Sequence, residues 1–109
     1  MEELIKNVID EEFSEEVLQS DKPVLVDFWA SWCMPCKMQG DVLRELAPDI
    51  AGKVKIVKVN VDESEKTALE YGITSIPTLM VFVNGELKEK TVGLTTKSEL
   101  SEMLIKYIG

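Results

Sequence analysis

The chain has 109 residues, the length of one domain, with 45% apolar and 29% charged side chains, a formal charge of −8 and no histidine. These proportions lie far from the low-hydrophobicity regime of disordered chains, and the acidic surplus opposes binding to nucleic acid or an anionic membrane surface. The absence of histidine removes Ser/His/Asp and Cys/His catalysis and every imidazole metal ligand.

Leu4 to Val8 is expected to be a short first strand, after which Asp10 caps a helix with Phe13, Val17 and Leu18 at helical spacing. That helix ends before Lys22 and Pro23. The run VLVDFWA, residues 24–30, is almost uninterrupted in its apolar character and predicts a central strand covered on both faces. A long helix then opens at the cysteines, with Met38, Val42, Leu46 and Ile50 on one stripe, a stop near Gly52, and Pro48 disturbing its last turn.

Residues 54–61, VKIVKVNV, are β-branched and predict a strand, while SEKTALEYG, residues 64–72, predicts a short helix closed by Gly72. TLMVFV and LKEKTV are separated by Asn84, Gly85 and Glu86, which predicts an antiparallel hairpin. Thr96 and Glu99 have capping-box spacing ahead of a helix that places Leu100, Met103, Leu104, Tyr107 and Ile108 on one face. The resulting order, βαβαβαββα, describes an α/β fold with a mixed central sheet flanked by helices on both faces. With no linker or repeat inside the chain, residues 1–109 are expected to form one domain.

No stretch approaches the roughly 18 apolar residues of a membrane span, and MEELIKNVIDEE lacks the basic and apolar regions of an export signal. A cytoplasmic location, away from membranes, is therefore expected.

The chemistry centres on WCMPC, residues 32–36, which holds both cysteines of the chain. Following a central strand and opening a helix, this string puts Cys33 near the N-cap and Cys36 one turn inside. Unpaired N–H groups at the helix start favour a thiolate at Cys33, while Cys36 is shielded. Pro35 suits the first helical turn, where its missing N–H has no partner to lose. The pair can then cycle between dithiol and disulfide: Cys33 attacks a disulfide, and Cys36 resolves the mixed species by attacking Cys33. Two other readings exist for Cys-x-x-Cys. A zinc site would need further ligands from another chain or unusual carboxylates, and a purely structural bridge over so short a loop constrains little chain entropy.

Strand alternation puts Leu25, Asp27 and Trp29 on one covered face. A buried Asp27 carboxylate has a raised pKa, which suits acceptance of a proton from Cys36; the alternative is an Asp held in structural hydrogen bonds. Lys58 shares its parity with Val54 and Ile56, so its ammonium either pairs with a group such as Asp27 or snorkels to water.

VDFWASWCMPCK, followed by SIPTLMVFVNG and VG, resembles the thioredoxin family over residues 4 to 108 or so. The resemblance implies a thioredoxin fold and a protein disulfide reductase with no bound cofactor beyond the redox-active Cys33–Cys36 disulfide. It implies disulfide-containing protein substrates and recharging by a thioredoxin reductase that draws on a reduced nucleotide or ferredoxin; a monomer is expected. By the same resemblance Asp27 and Lys58 are the acid and lysine beside the dithiol. Pro77 is cis and faces the sulfurs, leaving the backbone of Ile76 free to pair with an extended substrate. Val92 and Gly93 line the substrate groove, with Trp32, Met34 and Pro35 at its rim and Trp29 packed under the dithiol. Two positions depart from the family pattern. Met34 stands where glycine is commonest, and Asp41, preceded by Gly40, replaces a helix-kinking proline. These departures bear on substrate preference and dithiol tuning. A redox-independent binding module and a disulfide oxidase or isomerase are the alternative functions that the same fold allows.

Overall fold

In the computed structural model, which describes residues 4–108, the β-branched runs become five strands: β1 Ile5–Asn7, β2 Val24–Trp29, β3 Lys55–Asn60, β4 Thr78–Val83 and β5 Glu86–Val92. Four helices separate or follow them: α1 Asp10–Phe13, α2 Met34–Ile50, α3 Glu65–Glu70 and α4 Lys97–Ile105. Residues Ser14–Leu18 extend α1 as a π-helical turn, closed by a bond from the Gln19 N–H to the Ser14 carbonyl of 2.9 Å. The expected unit across residues 1–109 includes residues 1–3 and 109, which lie outside the described residues.

The sheet order is β1-β3-β2-β4-β5, so the apolar run predicted to be central is the middle strand. It pairs parallel with β3, placing Asp27 opposite Lys58, and antiparallel with β4, placing Asp27 opposite Leu79. The β4–β5 hairpin turns on Asn84 and Gly85 alone, with φ values of 52° and 82°, and Glu86 already belongs to β5. Two consecutive positive φ angles mark the turn whose twist matches the flanking strands. Gly85 also lies so close to the Leu18 carbonyl oxygen that an added Cβ would sit 2.9 Å from it.

Each face of the sheet has its own core. On one, Leu25, Ile56, Leu79 and Val81 meet Leu43 and Leu46 of α2 and Leu100 and Leu104 of α4. On the other, Val26, Phe28, Val59 and Phe82 meet Phe13 and Val17, with Tyr71 and Ile73 packed alongside. Phe13, Tyr71 and Phe82 form an aromatic triangle with centroids 5.4 to 5.8 Å apart.

Three local readings change. Asp10 does not cap α1: Ile9 is its N-cap, and the Glu12 side chain accepts from the Ile9 N–H at 3.2 Å. The Asp10 carboxylate instead reaches the start of α3, where it accepts from the Thr67 N–H at 2.8 Å and the Thr67 hydroxyl at 2.6 Å. Thr67 supplies two donors at once there, whereas in the first turn of α1 the Glu12 N–H already bonds the Ile9 carbonyl at 2.9 Å.

The inward stripe of α2 is also rotated. Cys36, Gln39, Gly40, Leu43, Leu46, Ala47 and Ile50 are buried, whereas Met38 is half exposed and Val42 only partly covered. The dithiol fixes this phase, because Cys36 must face the end of the sheet and the pattern i, i+3, i+4, i+7 then runs from it. Pro48 is on the exposed side, and the helix runs through it to Ile50 at the loss of one bond near its end. Finally, α4 stops at Ile105, so Tyr107 and Ile108 pack on the core from beyond the helix. Its predicted Thr96 and Glu99 capping box is present.

Candidate active site

Cys33 is the N-cap of α2, with an extended backbone of φ −97° and ψ 111° that turns the chain from the β2 end into the helix. Its Sγ accepts a hydrogen bond from the Cys36 N–H at 3.2 Å. Met34 and Pro35 occupy the first two helical positions, and no acidic residue stands in that turn to neutralise the positive helix end. The two cysteines are joined as a disulfide across a Cα–Cα distance of 5.2 Å. In this oxidised state Cys33 retains 6% exposure and Cys36 only 1%, so Cys33 is the sulfur nearer to solvent. Ala30 completes the buried cluster around them, with Trp29, Val61 and Ile76 against it. Trp29 thus packs under the dithiol, as expected.

The second wall comes from the entrance to β4. The Ile76–Pro77 bond is cis, and the Ile76 carbonyl oxygen lies 3.9 Å from Cys33 Sγ. The Pro77 carbonyl accepts the Gly93 N–H at 2.8 Å, which ties the end of β5 to this wall. Gly93 has φ of 92°, in the region that favours glycine. The apolar side chains on either side of Cys33 in the chain are exposed, Trp32 at 70% and Met34 at 64%, and Val92, the last residue of β5, is 59% exposed. The Trp32 ring is held by its Nε1–H, which donates to Asp62 at 2.8 Å.

Asp27, in the middle of β2, is fully buried and neither carboxylate oxygen has a hydrogen-bond partner. Burial pushes its pKa up to about 7, against the opposing pull of the Lys58 charge. Lys58 is half-buried, and its ammonium stands 4.2 Å from the centroid of the Trp29 ring, a cation–π contact. Among the described residues no ion pair joins Lys58 to Asp27, so the lysine acts on that carboxyl through space. Gly40 of α2 faces this lysine, and a Cβ there would meet Lys58 Nζ at 3.6 Å, an ordinary contact distance. Asp41, the other departure from the family pattern, faces outward and pairs with Arg44.

Gln39 was not among the sequence candidates. Fully buried, it pairs with both backbone groups of Thr95: its amide donates to the Thr95 carbonyl at 3.0 Å, and its oxygen accepts the Thr95 N–H at 2.8 Å. Counting the helical pattern from Cys36, and not from Met38, would have placed this polar side chain in the core.

The arrangement suits two-electron exchange between sulfurs, with the electron pair carried by the cysteines themselves and no bound cofactor required. Among the described residues no group of three or more Cys, Asp or Glu side chains is placed to hold a metal ion.

The thioredoxin family model matches residues 4–106. The chain is 50% identical over 105 residues to a thioredoxin of Rickettsia conorii, covering 96% of this chain and all of the relative. It is 52% identical over 101 residues to thioredoxin 1 of a Nostoc species, covering 93% and 94% of the two chains. A thioredoxin of Pseudomonas aeruginosa is 49% identical over 104 residues, with 95% and 96% covered. With the sheet, the helix-capping dithiol and these matches in agreement, the chain belongs to the thioredoxin family of thiol–disulfide oxidoreductases, and Cys33 and Cys36 are the pair with which it reduces disulfides.

Proposed function

We propose that the chain is a general reductant of protein disulfides in which Cys33 attacks and Cys36 resolves. The observation that carries this order is the position of Cys33 Sγ at the helix N-cap, accepting the Cys36 N–H, in a first turn free of acidic side chains. In the reduced protein the Cys33 thiolate attacks one sulfur of a substrate disulfide, and the other substrate sulfur leaves as a thiolate. Cys36 gives its proton to Asp27 and attacks Cys33, which closes the Cys33–Cys36 disulfide and releases the second substrate thiolate. Two electrons have passed to the substrate.

Support for Asp27 as proton acceptor is its burial without a partner and its pKa of about 7. Lys58 restrains that rise through its charge. The substrate chain is read as lying across Ile76, cis Pro77, Val92 and Gly93, with Trp32, Met34 and Pro35 at the rim; the exposed apolar side chains next to the dithiol support this. A thioredoxin reductase, fed by a reduced nucleotide or ferredoxin, recharges the pair. A monomeric single domain over residues 1–109 working in the cytoplasm completes the reading, in keeping with a lone reactive pair and no structural disulfide framework.

The test is insulin reduction with dithiothreitol as the electron source. Cys33→Ser abolishes catalysis, and Cys36→Ser accumulates a mixed disulfide with insulin on non-reducing gels. Catalysis surviving in Cys33→Ser, or trapping by Cys33→Ser in place of Cys36→Ser, refutes the assignment.

A further inference from the structure

The disulfide links two residues of the same helix end, so it does nothing to hold α2 against the loops that face it. Another contact does. Gln39, one turn beyond Cys36, grips the backbone of Thr95 through two hydrogen bonds of 3.0 and 2.8 Å, with both residues buried. Thr95 in turn holds its own loop: its hydroxyl donates to the Gly93 carbonyl at 3.1 Å and contacts the Thr91 hydroxyl at 3.0 Å. The Gly93 N–H then reaches the Pro77 carbonyl at 2.8 Å. One connected path therefore runs from the helix of the dithiol through residues 93–95 to the cis-proline wall beside Cys33.

We propose that Gln39 is a positioning residue that keeps the groove wall Val92–Thr95 in register with Cys33 whether the sulfurs are oxidised or reduced. A primary amide is suited to this, because it supplies one donor and one acceptor in a single plane to match a backbone N–H and C=O. An apolar residue of similar size fills the space and leaves both Thr95 groups buried and unpaired, so the loop must shift to find water. The proposal rests on the reading of Val92 and Gly93 as substrate-binding.

The test compares insulin with the small disulfide 5,5′-dithiobis(2-nitrobenzoate), which needs no extended groove. Gln39→Leu raises KM for insulin by about tenfold, as expected for two lost buried hydrogen bonds, while kcat and the rate with the small disulfide stay within about twofold, the groove alone being disturbed. Amide exchange at Thr95 accelerates in the same variant and that of the α2 interior does not. Gln39→Glu, which keeps the acceptor and loses the donor, gives an intermediate KM and serves if the Leu variant does not fold. Unchanged KM for insulin, or equal losses with both disulfides, overturns the inference. A Val92→Asp control separates the two levels: raised KM there with silent Gln39 variants leaves the groove reading standing, and unchanged KM removes that reading as well.

Discussion

Replacing Asp27 with Asn tests the electrostatic core of the site. The Asp27 carboxyl is fully buried, neither oxygen has a partner, and its pKa rises from 3.8 to about 7. The ionised form is therefore penalised in the folded protein by about 4 kcal/mol as an upper bound. Between pH 3.8 and about 7 the native protein retains a proton that the unfolded chain has lost, so this group lowers stability as pH rises through that window. Above about 7 the penalty is fully present. Asn has no charge to bury and resembles the protonated acid in shape and unmet hydrogen bonding. Urea unfolding of the oxidised protein at pH 4, 5.5, 7 and 8.5 is expected to show the two proteins nearly equal at the acid end. At the alkaline end the variant should be more stable by roughly 2 to 4 kcal/mol, with the gap opening mainly between pH 5 and 7. In single-turnover insulin reduction the same variant is slower by at least about tenfold, having lost its proton acceptor. A stability gap that is the same at every pH, or complete by pH 5, would mean that Asp27 ionises like an exposed carboxyl, and the reasoning would fail.

Other perturbations probe the frame. Asp10→Ala removes the acceptor for two Thr67 donors at the start of α3 and costs about 1 to 2 kcal/mol in thermal or urea unfolding; because those bonds hold its pKa below the usual value, the contribution disappears as pH falls through the acid range. No change at neutral pH would show that another group replaces the cap. Gly85→Ala must fit a Cβ 2.9 Å from the Leu18 carbonyl at a φ of 82°, so it destabilises by about 1 to 3 kcal/mol, and an unchanged Tm would contradict the turn geometry. Under mild peroxide, Met34 and Met38, 64% and 50% exposed, are oxidised well before Met80 and Met103 at 1% and 9%, as peptide mass mapping would read; equal rates would be incompatible with the burial pattern.

The parts of the fold that were legible in the amino-acid sequence are those decided locally. β-Branched runs became strands, Asn84-Gly85 became the tight turn, and Thr96 with Glu99 became a capping box, because each is settled by the chemistry of a few adjacent residues. Cys33 and Cys36 were legible for the same reason. What was missed depends on distant partners. Asp10 has the right chemistry for a cap, but nothing near it in sequence reveals that its helix is α3, 56 residues away. The phase of α2 could be read one residue off, since Met38 and Val42 form as good an apolar stripe as Leu43 with Cys36, and only the sulfur bond decides between them. Gln39 disappeared from view through that one-residue error. The cis state of Pro77 had no local signal at all and rested on family resemblance.

Lys58 shows how register, and not composition, sets the tuning of this site. Parallel pairing of β2 with β3 places it directly opposite Asp27, yet its ammonium lies over the ring of Trp29, two residues beyond Asp27 on β2. A tight ion pair would have stabilised the carboxylate and drawn its pKa downward, leaving a poor proton acceptor near neutrality. Held by the aromatic face instead, the lysine lends charge at longer range, enough to oppose the effect of burial but not to overcome it. The proton affinity of Asp27 is therefore set jointly by β2, which buries the carboxyl at the centre of the sheet, and by β3, which carries the charge that opposes burial.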